Sequence, residues 1–128
     1  MFRFFIILAL LLVSNLAFSA TKTKVTGLFS DMHYISEAGD VIGTEVFIVY
    51  SDSAYYAIMQ CAEGAPSKPV IVSALINGTT VKFEPHNDPL SHCPVATFTG
   101  QITPNGLRGT FEGTDYPGLL KRRRSYWQ

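Results

Sequence analysis

The side chains able to do chemistry are few and unevenly placed. His86 and His92 bracket the segment NDPLS with Asp88 between them, and imidazoles beside a carboxylate form a donor set for zinc, copper or nickel. That spacing matches no standard metal pattern, and Cys93 beside His92 has a competing use, so solvated loop histidines are the simpler reading and no metal or other cofactor is assigned. Glu45 is the one carboxylate in the middle of an apolar stretch, GDVIGTEVFIVY. Directed inward it needs a partner such as Arg108, and a buried ionisable group can mark a ligand site; directed outward it is an ordinary surface glutamate. Glu37, Asp40, Glu63 and Asp115 complete the inventory. The chain contains no Gly-x-Ser-x-Gly elbow, no Walker loop and no His-Glu-x-x-His pair.

Compartment follows from the start of the chain. MFRFFIILALLLVSNLAFSA has a basic residue, an unbroken apolar run and a small-residue exit, the pattern of a secretory leader cut after Ser19. The apolar run is shorter than the roughly 20 residues a membrane-spanning helix needs. Residues 20–128 then form one domain that is periplasmic or secreted. In such a compartment Cys61 and Cys93, an even pair, are expected to form a disulfide.

Charge is more informative split than summed. The chain has 10 basic and 10 acidic residues, but four of the bases are consecutive, Lys121 to Arg124. Residues 20–120 carry 5 basic against 10 acidic groups, net −5, and the tail carries +4. A nucleic-acid binder spreads cations and aromatics over one face, so nucleic acid is excluded as a partner. The tail KRRRSYWQ reads instead as a closing strand, with dibasic processing as the competing use.

The elements that must position these residues are strands. Runs rich in Val, Ile, Thr, Phe and Tyr, punctuated by Gly, Pro, Asn and Asp, recur at 24–35, 41–50, 55–62, 70–76, 79–84, 95–103, 107–112 and 119–127. Asn77-Gly78 and Asn105-Gly106 tolerate the positive φ angles of type I′ turns and predict hairpins there. Eight antiparallel runs joined in order predict an all-β up-and-down barrel, because closure removes unpaired edges; a β-sandwich is the alternative. Stretch 41–50 is apolar on both faces, which predicts either packing against a second copy, as a homo-oligomer, or an apolar exterior.

In such a meander the tight turns share one end and the longer loops the other. The predicted disulfide, Glu37, Asp40, Glu63, His86, Asp88, His92 and Asp115 all fall at the long-loop mouth, where small ligands enter barrels.

The segments GDVIGTEVFIVY, YYAIMQCAEGAP, FTGQITPNGLRGTF and LLKRRRSYWQ resemble a group of small exported bacterial proteins without an assigned activity. The strand-and-turn grammar also looks like lipocalin-like and streptavidin-like barrels, a likeness of architecture that transfers no binding residue. Gly27-Leu28-Phe29 has Phe where the lipocalin opening has Trp, and the single Trp is Trp127.

The sequence therefore reads as an exported binding module rather than an enzyme, taking a small ligand or an envelope protein at the mouth through Glu37, Asp40, Glu45, Glu63, His86 and His92. The alternatives are a hydrolase or isomerase using Glu45 or the His86/His92 pair, and a self-associating structural protein of the envelope.

Overall fold

A computed structural model describes residues 21–128, so the leader and its cut after Ser19 lie outside the described residues. Nine strands follow in chain order: β1 (Gly27–Ser30), β2 (His33–Ile35), β3 (Asp40–Ser51), β4 (Ala54–Gly64), β5 (Val70–Asn77), β6 (Thr80–Phe83), β7 (Phe98–Thr103), β8 (Gly106–Phe111) and β9 (Pro117–Arg122). From β2 to β9 each strand pairs antiparallel with the next, and β1 pairs with β9 and β3, not with β2, which closes β1 and β3–β9 into an eight-stranded up-and-down barrel. A sandwich would have left two separate sheets. β2 is an extra strand on the outer end of β3.

The first expected run, 24–35, is cut in two. Pairing with β3 keeps one register through the cut, from Ser30 opposite Glu45 to His33 opposite Ile42. Between them the Asp31 carboxylate accepts the Thr44 N–H at 2.7 Å, where a ladder carbonyl would otherwise stand.

The last expected run also ends early. Regular pairing in β9 stops at Arg122, and residues 124–128 leave the sheet.

The hairpins at the tight end depart from expectation in an instructive way. Asn77 pairs with Thr80 and Thr103 with Gly106, so the two-residue loops are Gly78-Thr79 and Pro104-Asn105. Only Gly78 and Gly106 have positive φ there, so neither turn is type I′. The hairpin with two consecutive positive φ angles, 49° and 64°, is Asp52-Ser53, which contains no glycine.

Alternation fills the interior. Val46 and Ile48, Ala57 and Met59, Val70 and Val72, Phe98, Leu107, Phe111 and Leu120 all point into one core. Three phenylalanine rings run through it, Phe83 to Phe98 (4.6 Å) and Phe98 to Phe111 (5.4 Å between centroids), and the partly exposed Tyr116 stacks on Phe111 at its edge (6.1 Å). Phe98 fits because its neighbours lack side chains: a Cβ at Gly109 would come within 2.5 Å of its Cζ. Burial of each large side chain stabilises the fold by about 1.5–3 kcal/mol, and the barrel is thereby a packed core rather than a cup.

Candidate functional site

Of the four consecutive cations, Arg122 and Arg123 are engaged by the fold. Arg122 lies on the inward side at the tight end, its guanidinium 4.6 Å from the Phe29 ring centroid, donating to the carbonyls of Lys24 and Thr26. Arg123 extends the pairing by one bond, its N–H reaching the Leu28 carbonyl at 3.3 Å. Its side chain faces outward and donates to the Met32 carbonyl at the interruption between β1 and β2. Lys121 and Arg124 are exposed, and neither has a hydrogen-bonding or ionic partner among the described residues.

Beyond Arg123 the chain turns and lies as a strap across the outer side of β1, β3 and β4. Glu45 holds it. Thr44 and Val46 point into the core, so Glu45 points outward, where the strap covers it to 7 % exposure. One carboxylate oxygen accepts the Ser125 hydroxyl and the other the Tyr126 N–H at 2.9 Å. These two residues, not Arg108, are its partners. A second pin stands one strand over: the Trp127 indole N–H donates to Gln60 at 2.9 Å, while the Gln60 amide donates to the Ser67 carbonyl at 2.8 Å.

Between strap and wall runs a groove of about 670 Å³. Leu28, Phe47 and Ile58 stand opposite one another on β1, β3 and β4 and form an apolar floor. The same row continues to Ile71 on β5, which is 62 % exposed. Arg123, Arg124, Ser125, Trp127 and Gln128 make the wall, and Pro69 lies at the β5 side. Glu45 is the only side-chain carboxylate lining the groove, and both its oxygens are engaged by the strap.

The long-loop mouth is built differently. Cys61 and Cys93 form the expected disulfide there, with Cα atoms 5.2 Å apart. Tyr116 closes the opening: its ring stacks on Phe111 and its hydroxyl bonds Thr44. Burial pushes the Tyr116 phenol above the usual tyrosine range against the opposing Thr44 bond, and the nearby Asp31 and Glu63 charges add to it. Asp88 is tied to Lys68 at 2.8 Å and to the Leu90 N–H at 2.9 Å. The Lys68 hydrogen bond, with help from that N–H, holds its carboxyl below the ordinary range. No three His, Cys, Asp or Glu among the described residues are grouped to hold a metal, so His86, Asp88 and His92 are not gathered into one donor set. Glu37 bonds Ser36, Asp40 opens β3, and Glu63 pairs with Ile42 near the end of β4. None of Glu37, Asp40, Glu63, His86 and His92 lines the groove; Glu45 does.

Sequence reasoning singled out Glu45 but missed Leu28, Phe47, Ile58, Gln60, Arg124 and Trp127. The signal was present as a strand apolar on both faces together with a Trp at the far end of the chain. No protein-family model, curated protein or solved structure matches the chain. Among the described residues no helix is long and apolar enough to cross a membrane. The disulfide indicates an oxidising, non-cytoplasmic setting.

Proposed function

We propose that this protein is an exported binding module, periplasmic or secreted, whose ligand lies on the outer wall of the barrel rather than inside it. The observation that carries this reading is the groove: a concave, largely apolar space of about 670 Å³ with a few polar groups at its edge, the form small-ligand sites take. The packed interior supports it from the other side, because Phe83, Phe98 and Phe111 fill the space a lipocalin-like barrel would give to a ligand. Export is supported by the leader pattern and by the disulfide.

The test is binding of a neutral apolar probe, N-phenylnaphthylamine, to the mature chain. Its fluorescence is expected to rise with wild type and to fall back with Phe47→Ser, whose side chain is on the outer face and outside the core. No enhancement with wild type, or an undiminished one with Phe47→Ser, contradicts the reading.

A second reading has its own observation. The floor row runs on to Ile71, and Leu75, 72 % exposed, lies further along the same face of β5 beyond Ser73; exposed apolar side chains of this kind also suit a second copy. Sedimentation at micromolar concentration separates the two: dimerisation lost on Ile71→Asp/Leu75→Asp favours self-association, and a monomer leaves the groove reading alone.

A further inference from the structure

We propose that the groove takes a single-chain amphiphile with an anionic head group, its apolar chain lying on Leu28, Phe47 and Ile58 and its head at Arg124. This rests on reading the groove as the binding site, and it names the ligand chemistry.

The floor sets the shape of the apolar part. Leu28, Phe47 and Ile58 are cross-strand neighbours in the groove and Ile71 continues their row beyond it, so the row runs perpendicular to the strands. At about 4.8 Å per strand it is about 14 Å long, room for an extended chain of roughly ten to twelve carbons. The floor offers such a chain contact and nothing polar. The main-chain groups of β3 and β4 beneath it are consumed by pairing on both sides. An extended peptide would find no edge to augment there, whereas an acyl chain needs none.

The wall sets the sign of the head. Glu45 has both oxygens committed to the strap, Gln60 is taken by Trp127 and Ser67, and the Arg123 guanidinium donates to Met32. Beside the neutral Gln128 amide, that leaves Arg124, exposed and without a partner among the described residues, as the spare cationic donor at the edge of an apolar surface. A guanidinium in that position suits a carboxylate or a phosphate, which it can bind through two parallel hydrogen bonds.

The experiment uses the mature chain and four probes below their micelle concentrations: dodecanoate, dodecyl phosphate, dodecanol and dodecyltrimethylammonium, with inorganic phosphate as the free anion. Binding is followed by calorimetry and by Trp127 fluorescence. The two anionic amphiphiles are expected to bind about five- to tenfold more tightly than dodecanol, the effect of one partly exposed charge-assisted contact, and inorganic phosphate alone not to bind. Arg124→Gln should bring the anions down to the dodecanol level without moving dodecanol, and Arg124→Lys should restore part of the difference. Removing two methylenes should weaken every chain by about four- to fifteenfold, for half to full burial of each. Equal affinities for dodecanol and dodecanoate, or indifference of the anions to Arg124→Gln, overturn this proposal and leave the groove reading standing. If no amphiphile binds, or if Phe47→Ser has no effect on any, the groove reading itself fails.

Discussion

Glu45→Ala is the sharpest perturbation of the strap. Glu45 accepts two hydrogen bonds, from the Ser125 hydroxyl and from the Tyr126 N–H, in a position only 7 % exposed. Hydrogen bonds to a charged group contribute about 1.5–3 kcal/mol each, and burying the carboxylate under the strap offsets part of that. A net loss of about 2 kcal/mol is the expected result, which shifts the equilibrium between closed and open strap about thirtyfold towards open. The effect is local, because Glu45 lies outside the packed interior. The assay is hydrogen exchange of the Trp127 indole N–H, which is held by Gln60 and belongs to the single Trp of the chain. It should exchange about thirtyfold faster in Glu45→Ala, while the amides of Val46, Ile48 and Ala57 keep their protection. Glu45→Gln, which retains one acceptor oxygen, should fall between. An unchanged indole refutes the assignment of Glu45 as the pin, and core amides accelerated to the same degree refute the separation of strap from barrel.

Three further predictions concern the barrel. Cys61→Ala/Cys93→Ala opens a loop with a sequence separation of 32, and chain entropy then predicts a loss of about 4 kcal/mol, or a Tm lower by about 15 °C in calorimetry. Gly106→Ala should cost about 3 kcal/mol or more in urea unfolding, since φ there is +142° and a Cβ would stand 2.1 Å from the Leu120 carbonyl oxygen. The raised Tyr116 phenol stabilises the fold fully below pH about 10 and loses that contribution as pH rises through its higher folded value. The stability of wild type relative to Tyr116→Phe should therefore fall above pH about 10 in urea melts; a constant difference contradicts the burial of the phenol.

Much of this architecture was legible in the sequence. Runs rich in Val, Ile, Thr, Phe and Tyr separated by turn residues located all eight barrel strands, because β-branched and aromatic side chains suit a packed, pleated surface. The disulfide was legible from two cysteines that a meander brings to one end. What escaped depended on contacts between distant segments. The break at Asp31 requires knowing that its carboxylate meets the Thr44 N–H, and no local pattern states that. The turns at Gly78 and Gly106 were anticipated as turns but with the pairing one residue off, since register is set by the whole strand and not by the Asn-Gly dipeptide. The tail defeated extrapolation for a similar reason. Alternation carried the strand to Trp127, yet ladder pairing with β1 stops at Arg122 opposite Phe29, and the residues beyond Arg123 follow Glu45 and Gln60 instead. The apolar outer face of β3 was seen as needing cover, and part of that cover is the chain's own strap.

Amide chemical shifts of the mature chain titrated with N-phenylnaphthylamine test the placement of the site most directly. Shifts should concentrate at Leu28, Phe47, Ile58, Gln60 and the Trp127 indole, on both sides of the strap and on three neighbouring strands. Changes confined to Phe98, Leu107 and Phe111 would put the ligand inside the barrel, and changes confined to His86 and His92 would put it at the mouth; either pattern contradicts an outer-wall site.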